Sequence, residues 1–462
     1  MRKYILFIET ALVFTIFAAG YGNIWYIHPD STLNTIQAGL DSCANNDTVL
    51  VAPGTYFENI IWPNTQGIDL VGECGRDTTI IDGSDVAEVI IMDVGLDSTT
   101  VIKGFTITHG DATYAGGINC SSNSSPSIVN NIITENNAAI GGGIHCDQST
   151  PFITDNIISN NTAPDGAGIY CSYLGDAIIT NNIITGNINN VAIGGGILVI
   201  QSSPLISYNT ITMNTAIEGG GIFCGTTTGY ASAPTIINNT ISNNTANEGA
   251  GIHCAILGCS PTIDSCIISN NNGDGIFSRD LADPVIHYCN IMGNTGYGVI
   301  NTDSTLTIDA TNNWWGNPSG PGGFGPGTGD SVSQYVDYIP WLTNPVGIKA
   351  TENRKLEIRD IKLTISPNPF TKEVKIKMQI PEVRKMENRN FPISQFPIYL
   401  CVYNLSGRVV RSFSLLSLHS SLFSSVSWNG RNDRGEEAPG GIYFLKLKTD
   451  KYILTKKLLL IR

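Results

Sequence analysis

The feature that most constrains this chain is a set of sequence columns. A Gly-x-Gly-Ile or Gly-Ile element places Ile at 118, 144, 169, 197, 222, 252 and 276, and Gly-Val follows at 299, at intervals of 26, 25, 28, 25, 30, 24 and 23 residues. A second marker falls in each unit at 131, 156, 182, 209, 239, 266 and 289; the first five are Asn and the last two Cys. Three residues before the marker stands Ile in every unit, from Ile128 to Ile286, and two residues after it Ile again, from Ile133 to Ile291. Five residues after it stands Asn, from Asn136 to Asn294, and Pro lies five residues before it except where Ala177 replaces it.

Columns this strict with spacers this variable mean that equivalent residues stack while the loops between them differ. The units are short β-branched runs broken by Gly, Asn and Pro, with no 3.6-residue period. A unit too small to bury its own apolar face has to stack on copies of itself. Parallel strands in register at ~4.8 Å per coil give a parallel β-helix, with Ile columns inside and Asn columns as side-chain ladders at the turns. Residues 49–107 have the same texture without strict columns, so 10 to 12 coils are expected, a rod ~50 Å long. The open ends of such a rod need covers. Residues 31–46, with Ile36, Leu40 and Cys43 on one helical face, suit an N-terminal cap, and 313–341, with Trp314 and Trp315, suit the other end.

Charge divides the chain. The net charge of −13 is the sum of −24 over residues 1–348 (5 Lys+Arg, 29 Asp+Glu) and +11 over 349–462 (21 against 10). The switch predicts a boundary near Gly347, with a linker at 348–360, and the acidic part is unsuited to nucleic acid or anionic membrane. Residues 1–22, with Arg2 and Lys3 before an apolar run and small residues, read as a secretory signal peptide. No later run reaches the ~18 apolar residues of a membrane span, so the mature chain is expected to lack one.

Residues 25–341, including "NTIQAGLDSCANNDTVLVAPGTYFENI", "VIKGFTITHG" and "NNWWGNPSGP", resemble the right-handed parallel β-helix, pectin-lyase-like superfamily. The "NNAAIGGGI" and "NNTAPDGAGI" junctions resemble repeats of polymorphic outer-membrane adhesins. That superfamily holds lyases, hydrolases, epimerases and non-catalytic adhesins, so the resemblance implies fold more than activity. Residues 361–462 alternate apolar positions with Gly and Pro turns and predict about seven strands of an Ig-like β-sandwich. The order "SPNPF … YNLSGRVV … WNG … APGGIYFLKL … KKLLLI" resembles the C-terminal sorting domain of type IX secretion and the Ig-like domain of flagellar hook-capping proteins. The resemblance implies export by an outer-membrane secretion machinery and a place in the medium or at the cell surface. It points to Pro439, Gly440, Gly441, Tyr443, Lys456 and Lys457 as the signal; an ordinary Ig-like spacer is the alternative.

Candidate chemistry is confined to a few columns. His145–Cys146 and His253–Cys254 are adjacent on strands, so the two side chains of each pair face opposite ways and cannot close on one metal. Cys120, Cys146, Cys171, Cys224 and Cys254 are expected to form an internal thiol stack, and Cys43 with Cys74 is the better disulfide candidate. Glycines such as Gly143 lack the following helix a phosphate loop needs, and are expected to serve positive φ and close coil stacking.

The residue before each glycine element is Asp165, Ile193, Glu218, Glu248 and Asp274 on successive coils. Stacked acids must be solvated, protonated or bridged by a cation, and calcium at Glu218, Glu248 and Asp274 is one option. Beside them the outward column reads Tyr170, Leu198, Phe223, His253 and Phe277. An exposed strip with Tyr170, Phe223, His253 and Phe277 as ligand-binding residues would suit a polysaccharide. The leading expectation is a non-catalytic, adhesin-like surface protein. The alternative is a polysaccharide lyase or glycoside hydrolase using Glu218, Glu248, Asp274 and Arg279.

Overall fold

The computed structural model describes residues 22–225, 232–255, 259–347, 362–379, 399–404, 409–413, 423–432, 437–448 and 453–462. The chain divides into two units, Met1–Ile348 and Lys349–Arg462. Apart from Gly22, the expected signal peptide lies outside the described residues, as does the expected linker.

The first unit is an all-β parallel solenoid of about twelve turns, with sheets of 11, 10 and 12 strands. Each coil visits the three sheets in order. Phe152–Thr154 lies in the first sheet, Ile157–Ser159 in the second and Ile169–Ser172 in the third. The register follows the sequence columns: Ile128 pairs with Ile153, Ile133 with Ile158, and Ile144 with Ile169. All of these Ile side chains are fully buried. The Cys column extends the interior stack, with Cys120, Cys146, Cys171, Cys224 and Cys254 fully buried.

Two of the three bends in a coil each use one residue in the left-handed region followed by a ladder residue, Asn in most coils. Asn181 (φ 55) precedes Asn182 at one bend, and Met213 (φ 55) precedes Asn214 at the other. Each ladder Asn is satisfied along the axis. The Asn182 backbone N–H and Nδ2 donate to Asn209 Oδ1 at 2.9 and 3.1 Å, while Nδ2 also donates to Ile153 O at 2.9 Å. The first ladder runs from Phe105, whose N–H donates to Asn131, up to Asn239, and continues weakly through Cys266 and Cys289 to Asn313. The second runs from Gly110 to Asn294, where Asp330 accepts the last N–H and Nδ2 at 3.0 and 2.9 Å. Glycine is needed where third-sheet strands begin, because a Cβ on Gly143 would lie 2.6 Å from the Gly168 carbonyl of the next coil.

The N-terminal cover is shorter than expected. The helix spans only Ile36–Asp41, with the Thr35 hydroxyl accepting the Ala38 N–H at 3.3 Å. Ile36 and Leu40 are buried by it, and Cys43 lies beyond it. Asp47, which accepts from the Ala44 N–H, ends the segment as a turn. At the other end Trp315 is fully buried, and strands Pro321–Gly323 and Gly329–Val332 extend the third sheet. Cys43 and Cys74 are both free, so the expected Cys43–Cys74 pairing is not formed; Cys43 instead donates its thiol to Gly39 O at 3.3 Å.

The second unit has two antiparallel sheets, of 3 and 4 strands. Side chains from both, including Val374, Ile376 and Trp428 from one and Val402, Leu445 and Leu458 from the other, share one buried cluster. Among the described residues no helix is long and apolar enough to cross a membrane.

Candidate functional site

The turns that carry the chain from the second sheet to the third stack on one another. Their pairing places Tyr114 beside Ile140, Ile140 beside Asp165, and then Ile193, Glu218 and Glu248 in succession. The third-sheet outer column runs beside them as Asn119, His145, Tyr170, Leu198, Phe223, His253 and Phe277. These two columns bring the candidate residues together, in a closed stretch and an open one.

The closed stretch overturns the expectation of an exposed aromatic strip. Leu198 and Phe223 are 1% exposed, His253 0% and Phe277 8%. His253 lies between the rings of Phe223 and Phe277, with centroids 4.9 and 5.0 Å away. Above them Arg279 reaches back across two coils. Its Nη2 lies 2.9 Å from Glu218 Oε2, its Nη1 2.9 Å from Glu248 Oε2, and its Nε 3.4 Å from Asp280. The cation that relieves Glu218 and Glu248 is therefore supplied by the chain itself.

His253 is held neutral. Burial, and then the Arg279 charge, push its pKa down to about 3, with Glu248's backbone opposing the shift. Its Nδ1 lies 3.8 Å from Glu218 Oε2, and neither ring nitrogen makes a hydrogen bond of normal geometry. Asp274 does not join this group. Its Oδ1 accepts the Tyr297 N–H at 2.7 Å, and the Gly249 N–H also bonds to it, so it closes a turn; burial is the largest cause of its raised pKa. The donor atoms that approach one another are those of Glu218, Glu248 and His253, all within 4.8 Å.

The open stretch begins at Tyr114, on strand Asp111–Tyr114, which the sequence reading missed. Its ring is half exposed and stacks on His145 at 5.8 Å and 20°. His145 in turn stacks on Tyr170 at 5.3 Å and 18°. Tyr170, the one expected ligand-binding residue with an accessible side chain, is half-buried. Burial pushes the His145 pKa down to about 4, so it is a neutral ring between two tyrosines. Asp147, which accepts the Ser172 hydroxyl at 3.0 Å, and the half-buried Asp165 flank the stack. Tyr114 was within reach of the sequence, because "YAGGI" and "IGGGI" extend the pre-glycine column two coils before Asp165.

A second missed group is His109, whose Nδ1 lies 3.0 Å from Asp82 and Nε2 3.5 Å from Glu135. The Asp82 hydrogen bond is the largest cause of its raised pKa. In the second unit Tyr443 is buried, donates its hydroxyl to Pro439 O at 2.6 Å and packs edge-on against Trp428. Pro439, Gly440, Lys456 and Lys457 are exposed, and Gly441 begins the strand Gly441–Lys448.

Comparison with curated proteins and with solved structures gives no match. A family model described as "Right handed beta helix region" matches residues 54–209 and 189–315, together more than half of the chain. The matched residues are the coils that carry both stretches of the site, and the chain belongs to the right-handed β-helix family.

Proposed function

We propose that this is an exported, non-catalytic β-helix protein that binds a neutral or cationic glycan along the outer face of its third sheet. The observation that carries the reading is the Tyr114–His145–Tyr170 stack, an aromatic surface open at Tyr114 and flanked by Asp147 and Asp165. Ring faces pack on the C–H faces of sugars, and carboxylates accept sugar hydroxyls. Delivery rests on the signal-like N-terminus and on the sorting-domain resemblance of residues 361–462. The lyase or glycosidase reading has less support, because it needs Arg279 to leave Glu218 and Glu248 and Asp274 to leave the Tyr297 N–H.

The test is a glycan array probed with the full chain and with Tyr114→Ala/Tyr170→Ala. Binding that falls by about fivefold or more supports the proposal, since each ring contributes ~0.5–1.5 kcal/mol of stacking. Glycan binding that the double variant leaves unchanged would move the site elsewhere.

A further inference from the structure

The closed stretch has a property that glycan binding does not use. His253 is completely buried, and neither ring nitrogen makes a hydrogen bond of normal geometry, the Glu248 backbone being only a weak partner. The neighbouring positions of its column are Phe223 and Phe277, so packing alone does not call for an imidazole there. Its Nδ1 is directed at the Glu218 carboxylate, 3.8 Å away, in the group whose donor atoms lie within 4.8 Å of one another. Asp274 is committed to the turn.

We propose that Glu218, Glu248 and His253 form a site for a divalent transition ion of the zinc class, and that Arg279 competes with the ion for the two carboxylates. One neutral imidazole with two carboxylates is a three-ligand zinc set, whereas calcium prefers oxygen donors in greater number. Metal–ligand bonds of ~2.0–2.1 Å require the donors to draw closer than they now stand. The two glutamates can do this because their terminal torsions are soft. Arg279 is 31% exposed and already touches Asp280 through Nε, so it can swing off Glu218 and Glu248 and keep an ion-pair partner. With Arg279 in place the site is a latch tying three coils together, and with the ion bound the tie is inorganic. This inference is independent of the glycan reading.

The experiment is zinc titration of the full chain by calorimetry, under a non-chelating reductant, with Arg279→Gln, His253→Phe and the double variant. Arg279→Gln removes the competitor and is expected to tighten zinc binding by at least about tenfold, and adding His253→Phe is expected to reverse that gain. Because Arg279→Gln leaves two carboxylates uncompensated, the comparison is also made with Arg279 intact: zinc should raise the thermal midpoint of the wild type and not that of His253→Phe. Cobalt in place of zinc should give d–d bands without a thiolate charge-transfer band, separating this site from the buried cysteines. Unchanged zinc affinity in Arg279→Gln, equal midpoint shifts with and without His253, or a thiolate band would each overturn the proposal.

Discussion

At single positions the solenoid tolerates some poor local choices because the stack decides them. Met213 is 60% exposed and holds φ 55, a conformation that Asn160, Asn243 and Asn270 take at the equivalent bend. A left-handed backbone costs most residues about 1–2 kcal/mol, and Asn less. Met213→Asn should therefore raise stability by about 0.5–1 kcal/mol, read as a higher denaturant midpoint. His253 predicts a pH effect. The fold holds it neutral with its pKa pushed down to about 3, while the unfolded chain protonates near the ordinary value of ~6.5. The stability it contributes is present above that value and is lost, by about 1.4 kcal/mol per pH unit, as pH falls through 6.5 toward 3. His253→Phe has nothing to protonate, so relative to the wild type it should gain about 2 kcal/mol between about pH 7 and pH 5. A difference that does not change with pH would mean that His253 is not held neutral.

At the scale of the element, the asparagine ladders carry buried polar groups that no other part of the coil can satisfy. Asn214 Oδ1 accepts the Asn187 N–H and Nδ2, and its Nδ2 donates to Asn244 Oδ1 and Ile184 O, each at 3.0 or 3.1 Å. Asn214→Ala should cost about 3–5 kcal/mol, since it leaves several buried groups unpaired, each worth ~1–3 kcal/mol. Calorimetry of the full chain checks this. The ladders were legible in the sequence because a stack of identical coils prints its register as columns, as at Asn131–Asn156–Asn182 and Ile128–Ile153–Ile179. The candidate site was less legible. Spacing gave Glu218 beside Glu248, but not that Arg279, two coils on, would reach back to both, because a long side chain's direction leaves no periodic trace. The same limit concealed the burial of Phe223 and His253: their column marks them as outward, and what lies over an outward residue is decided by the neighbouring turns.

The whole molecule couples an acidic solenoid to a basic antiparallel unit, and the two differ in how they are built. In the solenoid each coil touches its neighbours, the Ile36–Asp41 helix packs on the first strands, and Trp315 is buried at the last coils. In the second unit the chain's last residue is tied locally, with Arg462 paired to Glu437 at 2.9 Å and donating to Gly430 O. At this scale the proposal is that the third-sheet face binds a glycan without reacting. The most direct measurement incubates the full chain with a polysaccharide panel and follows unsaturated and reducing ends alongside binding. Binding that depends on Tyr114 and Tyr170, with no product formed, is expected. Product that appears with the wild type and disappears with Glu248→Gln would contradict it.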